Sequence, residues 1–209
     1  MRLEPKPAPS LSTTLAYPAG AVVATFVIAS LLVLAAGASP LSVFAQVVKG
    51  AAGSRFAILE TLTRATPLIF TGLAVAVAFR AKLWNIGAEA QLYAGGVVTV
   101  VLGTGALPLP APILIPLIMV AAMAAGAALL LGPAILKTRF GVDEVVTTLL
   151  FNFIMILFVS MLLEGVLKDP MGMGWPQSQR VVADAQLMKL VPRSRLHLGF
   201  VIALIAAVA

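Results

Sequence analysis

Cysteine is absent from the 209 residues, and histidine occurs once, at His197. Disulfide frameworks, thiolate ligands and cysteine nucleophiles are therefore excluded, as are the usual multi-histidine metal centres. Charge is scarce too, at 11% of residues against 61% hydrophobic. A water-soluble domain built to that balance has too little polar surface to wrap several all-round apolar helices. The longest gap is residues 90–136, forty-seven positions without an acid, a base or a histidine. No Gly-x-x-x-x-Gly-Lys loop, catalytic triad or metal-ligand cluster appears anywhere, so nothing supports enzyme chemistry or ATP hydrolysis by this chain.

Crossing about 30 Å of hydrocarbon takes about 20 apolar residues as helix. The uncharged interval therefore holds two spans separated by the Gly/Pro-rich turn at 103–112. The net charge of +6 does not point to nucleic acid, because the basic residues lie in ones and twos at the ends of apolar runs, where snorkelling and interfacial anchoring place them.

Before this interval, a polar lead-in carries Pro5, Pro7 and Pro9, and residues 18–38 read as a retained first span, longer than a signal-peptide core of about 7–15 residues. A weaker stretch at 41–63, with Lys49, Arg55 and Glu60 along it, reads as an interfacial or partly inserted helix. Thr66-Pro67 is expected to start the next span, which has only fifteen uncharged residues, 65–79, before Arg80 and Lys82. The following spans are expected at about 86–101 and 113–136, with Pro133 kinking or ending the latter. Residues 145–163 give nineteen uncharged positions, the cleanest span of the chain. A polar excursion at 168–195 follows, with a short surface helix expected over 178–189. The apolar run from Leu196 is expected to be the start of a sixth span, incomplete in this chain. The expected fold is thus an all-α polytopic transmembrane helical bundle of about six spans, and small residues at four-residue spacing, such as Gly72/Ala76 and Ala122/Gly126, suit close helix packing in lipid.

Two polar strings interrupt the apolar background. In Asn85-Ile86-Gly87-Ala88-Glu89-Ala90-Gln91, Asn85 suits a helix N-cap and Glu89 lies in the first turn or a full turn deeper. One reading makes Trp84 and Tyr93 interfacial anchors and Glu89 a snorkelled boundary residue; the other makes the string a polar hinge beside a translocation path. In Gly141-Val142-Asp143-Glu144-Val145-Val146-Thr147-Thr148-Leu149-Leu150-Phe151-Asn152, acids precede a helical run, Asn152 needs a polar partner on another helix, and a short surface helix before re-entry would suit a soluble partner. An ordinary capped loop is the plainer alternative. An ion-gradient-driven transporter or channel would use Glu89 and Asn152 as coupling groups, and a membrane scaffold would use neither.

The run from Thr66-Pro67-Leu68 to Phe79-Arg80, continuing through Asn85 to Gln91, resembles bacterial ABC-importer permeases of the branched-chain amino-acid/simple-sugar superfamily, nucleoside and simple-sugar branch, and the Gly141 to Asn152 string resembles that branch's second hallmark. Lys82 and Ala90 depart from it, standing where that family usually has glycine. The resemblance implies one permease domain over 1–209, a cytoplasmic leader at 1–17, an ATPase-coupling region at 137–148 and an extracytoplasmic loop at 168–195, in a bacterial inner membrane. It further implies a path segment containing Asn85, Gly87, Glu89 and Gln91, and an ATPase-coupling role for Gly141, Asp143, Glu144, Thr147, Thr148 and Asn152. Implied partners are a cytoplasmic ABC ATPase that binds the ATP, a second permease subunit and an extracytoplasmic substrate-binding lipoprotein; no cofactor is implied in this chain. Charge counting does not support the implied cytoplasmic N-terminus, since it puts Arg2, Lys6, Arg80, Lys82, Lys137 and Arg139 inside and eight basic residues outside.

Overall fold

Seven α-helices and one 3₁₀ turn make up the computed structural model, which describes residues 10–208. Four of the helices are long and apolar enough to cross a membrane, within α1 (Leu11–Ala35), α3 (Arg55–Arg80), α5 (Ala111–Phe140) and α6 (Glu144–Glu164). Helices α4 (Ala88–Gly103) and α7 (Gly199–Val208) are apolar but shorter. The expectation of about six full-length spans is thus met by four.

The chain divides into two compact units, with the boundary after Ile58. In the first, the Ser10 hydroxyl accepts from the Thr13 amide and starts α1, seven residues ahead of the expected boundary at Pro18, which lies inside the helix. Residues 11–17 are therefore helical, while 1–9 of the expected leader lie outside the described residues. Helix α1 ends on Gly37 at φ +77°, with amides 37 and 38 turning back to carbonyls 34 and 33. Helix α2 (Pro40–Ala52) returns against it, and Phe26 meets Phe44 edge-on at 5.2 Å.

The second unit begins within α3. The expected break at Thr66-Pro67 does not occur: the helix runs through Pro67. Proline removes one amide donor but the flanking backbone bonds keep the helix continuous, and the hydroxyls of Thr63, Thr66 and Thr71 donate back to carbonyls 59, 62 and 67 of the same helix. The end expected at Pro133 does not occur either, since α5 continues seven residues further and stops only at Gly141, φ +66°. Helices α4, α5 and α6 form the packed centre. Gly95 lies against Ala122 and Gly126 against the backbone of Gln91, where an added methyl would stand 3.4 Å and 3.5 Å from a carbonyl oxygen, so the glycines let α4 and α5 approach closely.

Beyond α6 the chain is irregular. The helix expected over 178–189 reduces to the single 3₁₀ turn Ala183–Ala185. Val182 donates its amide to the carbonyl of Gly103 at the end of α4 (2.8 Å), and the Gln186 side chain donates to the Val181 carbonyl (3.0 Å); these bonds hold residues 181–186 in a loop conformation. Arg195, just before α7, reaches Glu60 of α3 at 3.3 Å, alongside Arg64.

Candidate functional site

Helix α3 ends at Arg80, where the first charges follow the apolar run 65–79. Amides 82 and 83 bond back to carbonyls 79 and 78, and Lys82 takes the left-handed conformation, φ +58°, that glycine adopts most easily. The chain then runs without helix to Gly87, and α4 begins at Ala88. This connection is Asn85's setting. Asn85 is not the N-cap expected of it, because Gly87 holds that place. Its Oδ1 instead accepts from the Gly87 amide at 2.8 Å, an Asx turn, and its amide pairs reciprocally with that of Gln91 at 3.3 and 3.4 Å.

A helix start leaves up to four backbone amides without partners. Here α6, about sixty residues away in sequence, supplies a partner for one of them, at Ala90, and for groups of the connection before the helix. Asn152 Oδ1 accepts from the Ala90 amide (2.9 Å) and its Nδ2 donates to the Ile86 carbonyl (2.9 Å). Thr148 Oγ1 accepts from the Ile86 amide (3.2 Å), and Glu144 accepts from the Trp84 amide (3.3 Å). Contact is close enough that a methyl on Gly87 would stand 3.0 Å from the Thr148 carbonyl oxygen. Asn85, Ala90, Thr148 and Asn152 are each less than a tenth exposed. Each of these polar groups is bonded, which is what burial in a low-dielectric setting demands.

Lys137 closes the outer edge. Its ammonium pairs with the Glu144 carboxylate and donates to the Lys82 carbonyl at 2.8 Å, so the ends of α3, α5 and α6 meet on one side chain. The surface helix expected before re-entry is not formed. Residues 137–140 finish α5, Gly141-Val142-Asp143 make the turn, and Asp143 caps α6 by accepting from amides 145 and 146. An open depression lies here, bordered by Trp84, Lys137, Gly141, Asp143 and Glu144.

The two polar strings thus form one clasp. It unites Asn85, Gly87 and Gln91 with Glu144, Thr148 and Asn152. Thr147 bonds only to its own helix, at carbonyls 143 and 144, and Gly141 and Asp143 serve the turn. Glu89 is exposed in the first turn of α4, with no hydrogen-bond or ionic partner among the described residues. Sequence reasoning missed Lys137 as a site residue. It noticed Lys82 as a replacement for glycine, and that was the trace of a left-handed backbone.

Residues 57–209 match the family described as branched-chain amino acid transport system / permease component. The chain is 37% identical to the guanosine ABC transporter permease protein NupP of Bacillus subtilis, over 93% of this chain and 56% of that protein. It is 31% identical to the nucleoside ABC transporter permease protein NupB of Lactococcus lactis, over 90% of this chain and 54% of the relative. Against the glucose ABC transporter permease protein TsgB13 of Haloferax volcanii the figures are 33%, 100% and 58%. The chain therefore spans somewhat over half the length of these relatives. No solved structure matches it.

Proposed function

The chain belongs to the family of branched-chain amino acid transport system permease components, and from that premise we propose that it is the membrane-spanning subunit of an ATP-driven importer of nucleosides or related simple sugars. The observation that carries the reading is the similarity, across nine-tenths or more of this chain, to permeases named for guanosine, nucleosides and glucose. ATP is bound by a separate cytoplasmic ATPase, a second permease completes the pathway, and an extracytoplasmic lipoprotein delivers the solute. Helices α4 and α7 join the four long ones as the remaining spans of a six-span arrangement, in a bacterial inner membrane with the N-terminus in the cytoplasm.

In this reading the α5–α6 turn within 137–148 receives the ATPase. Gly141 gives the turn its left-handed residue, Asp143 caps α6, and Glu144, Thr147, Thr148 and Asn152 follow on the first three turns. Movement of α6 reaches α4 through the Glu144–Trp84, Thr148–Ile86 and Asn152–Ala90 bonds, because backbone groups held at both ends of a buried polar network shift together. Asn85, Gly87 and Gln91 keep the hinge segment folded while it moves.

The test is guanosine uptake by cells carrying the complete transporter, with co-purification of the ATPase. Glu144→Lys sets a cation against Lys137 and removes the acceptor for the Trp84 amide. It is expected to lower uptake and ATPase recovery together while membrane insertion is unchanged. Uptake that survives ATP depletion but collapses with an uncoupler would replace this reading with an ion-gradient transporter.

A further inference from the structure

Glu89 can be placed in depth. Helices α4 and α6 run parallel: Gly87 abuts Thr148, Ala90 bonds Asn152, and further on Val97 and Val100 share a crevice with Val159 and Leu163. Helix α6 has 21 residues, which is about 31 Å, close to the thickness of a bilayer core. Asn152 lies eight residues into it, about 12 Å from its start. Glu89 precedes the residue level with Asn152, so its Cα lies about 10 Å beyond the start of α6, with the side chain tilted back toward the helix N-terminus. Helix α4 is short because it begins there, after a non-helical connection held in place by α6.

An exposed carboxylate without a partner at that depth is strongly disfavoured against lipid and is tolerated facing a water-filled cavity. Helical geometry shows what shares its face. At about 100° per residue, Tyr93, Gly96 and Val100 fall within about 40° of Glu89 around α4. Tyr93, Gly96, Val97 and Val100 line the crevice, of about 160 Å³, that opens where α4 and α6 diverge. Gly96 has no atom within 4 Å of where a Cβ would stand, so the wall recedes beside Tyr93.

We propose that this stripe of α4, from Glu89 through Tyr93 and Gly96, is the solute-facing wall of the pathway, and that Glu89 accepts hydrogen bonds from adjacent hydroxyls of a sugar ring. The assignment rests on the transport reading above and sharpens it. A carboxylate is acceptor-only with two oxygens, a match for two neighbouring hydroxyl donors, and the adjacent diol is the chemistry that a ribonucleoside and a hexose share. Tyr93 and Gly96 line the same crevice and add an aromatic surface to it. Asn85 and Gln91 do not meet the solute, because their amides are bonded to each other and to the Gly87 amide.

These 209 residues carry no cysteine, so thiols introduced into them are read in the assembled transporter against the labelling of the unsubstituted parent. Single substitutions Glu89→Cys, Tyr93→Cys and Gly96→Cys are treated with a membrane-impermeant maleimide on intact cells and on inside-out vesicles, with Gly95→Cys, on the α5 side, as the packed control. The stripe is expected to react from the aqueous phase, the control to stay unreactive, and guanosine to slow labelling at 96 several-fold. In uptake, Glu89→Gln is expected to raise KM for guanosine about ten-fold while leaving KM for 2′,3′-dideoxyguanosine unchanged. If the parent imports guanosine but the stripe is unreactive from both sides, or Glu89→Gln leaves the ratio of the two KM values as it was, the proposal is overturned. A parent that imports neither nucleosides nor glucose removes the transport reading itself and the diol assignment with it.

Discussion

The two halves of the α4–α6 pair are built on opposite plans. At the starts of the helices the contact is polar and tight, with Asn152, Thr148 and Glu144 bonding backbone groups of residues 84–90 and Gly87 lying against Thr148. Towards their ends the contact is apolar and loose, with a crevice between Val97, Val100, Val159 and Leu163. In lipid, apolar side chains gain little by leaving the tails for one another, so a loosely packed apolar contact holds two helices weakly. Hydrogen bonds to specific backbone atoms add both attachment and register. The clasp therefore fixes the register of the starts of α4 and α6, while their far halves are left without such bonds.

Asn152→Leu should break this contrast most. It strips the Ala90 amide and the Ile86 carbonyl of their partners in a buried setting, a loss of about 2 kcal/mol or more; thermal unfolding in detergent should fall by several degrees. Next comes Gly87→Ala. Its methyl would stand 3.0 Å from the Thr148 carbonyl oxygen and 3.1 Å from Thr148 Cβ, so the contact must give by a few tenths of an ångström, for about 1 kcal/mol. Unchanged melting in both variants would mean that the clasp does not hold the pair. Lys82→Gly should move the other way, gaining about 1 kcal/mol because a residue at φ +58° no longer carries a side chain; the Lys82 carbonyl that Lys137 uses is retained. Smallest is Gly96→Ala in the open half. With no atom within 4 Å of the new methyl, its melting point should shift by less than the equivalent of about 0.5 kcal/mol, and a large loss there would erase the distinction between the halves.

Much of the fold was legible where hydropathy alone decides. Helix α6 matches the expected span 145–163 within one residue at either end, since acids and a clear apolar length bound it. Proline misled the reading at positions 18, 67 and 133, because in a membrane a helix loses more by opening its remaining bonds than by tolerating one missing donor. Residues 178–189 carry no α-helix beyond the single 3₁₀ turn, because Val182 and Gln186 bond the end of α4 and the Val181 carbonyl, partners that local sequence does not reveal. At the site, the need for an interhelical partner for Asn152 was readable from its residue type, and the structure supplies that partner in α4. The joining of the two polar strings was not readable, because the bonds span 60 to 66 positions and no periodicity records them. Asn85 was misassigned for a local reason: the same short amide that caps helices also makes Asx turns.

Docking of the connection before α4 onto the first turns of α6 is tested most directly by a double substitution in this cysteine-free chain. A Cβ at position 87 would stand 3.1 Å from that of residue 148, near the separation a disulfide bridges, about 3.5–4.5 Å. Oxidation of membranes carrying Gly87→Cys with Thr148→Cys should give rapid intramolecular crosslinking, read as loss of both thiols without dimer formation. Two thiols that stay free under the same oxidation, in protein that is inserted and folded, would contradict the clasp.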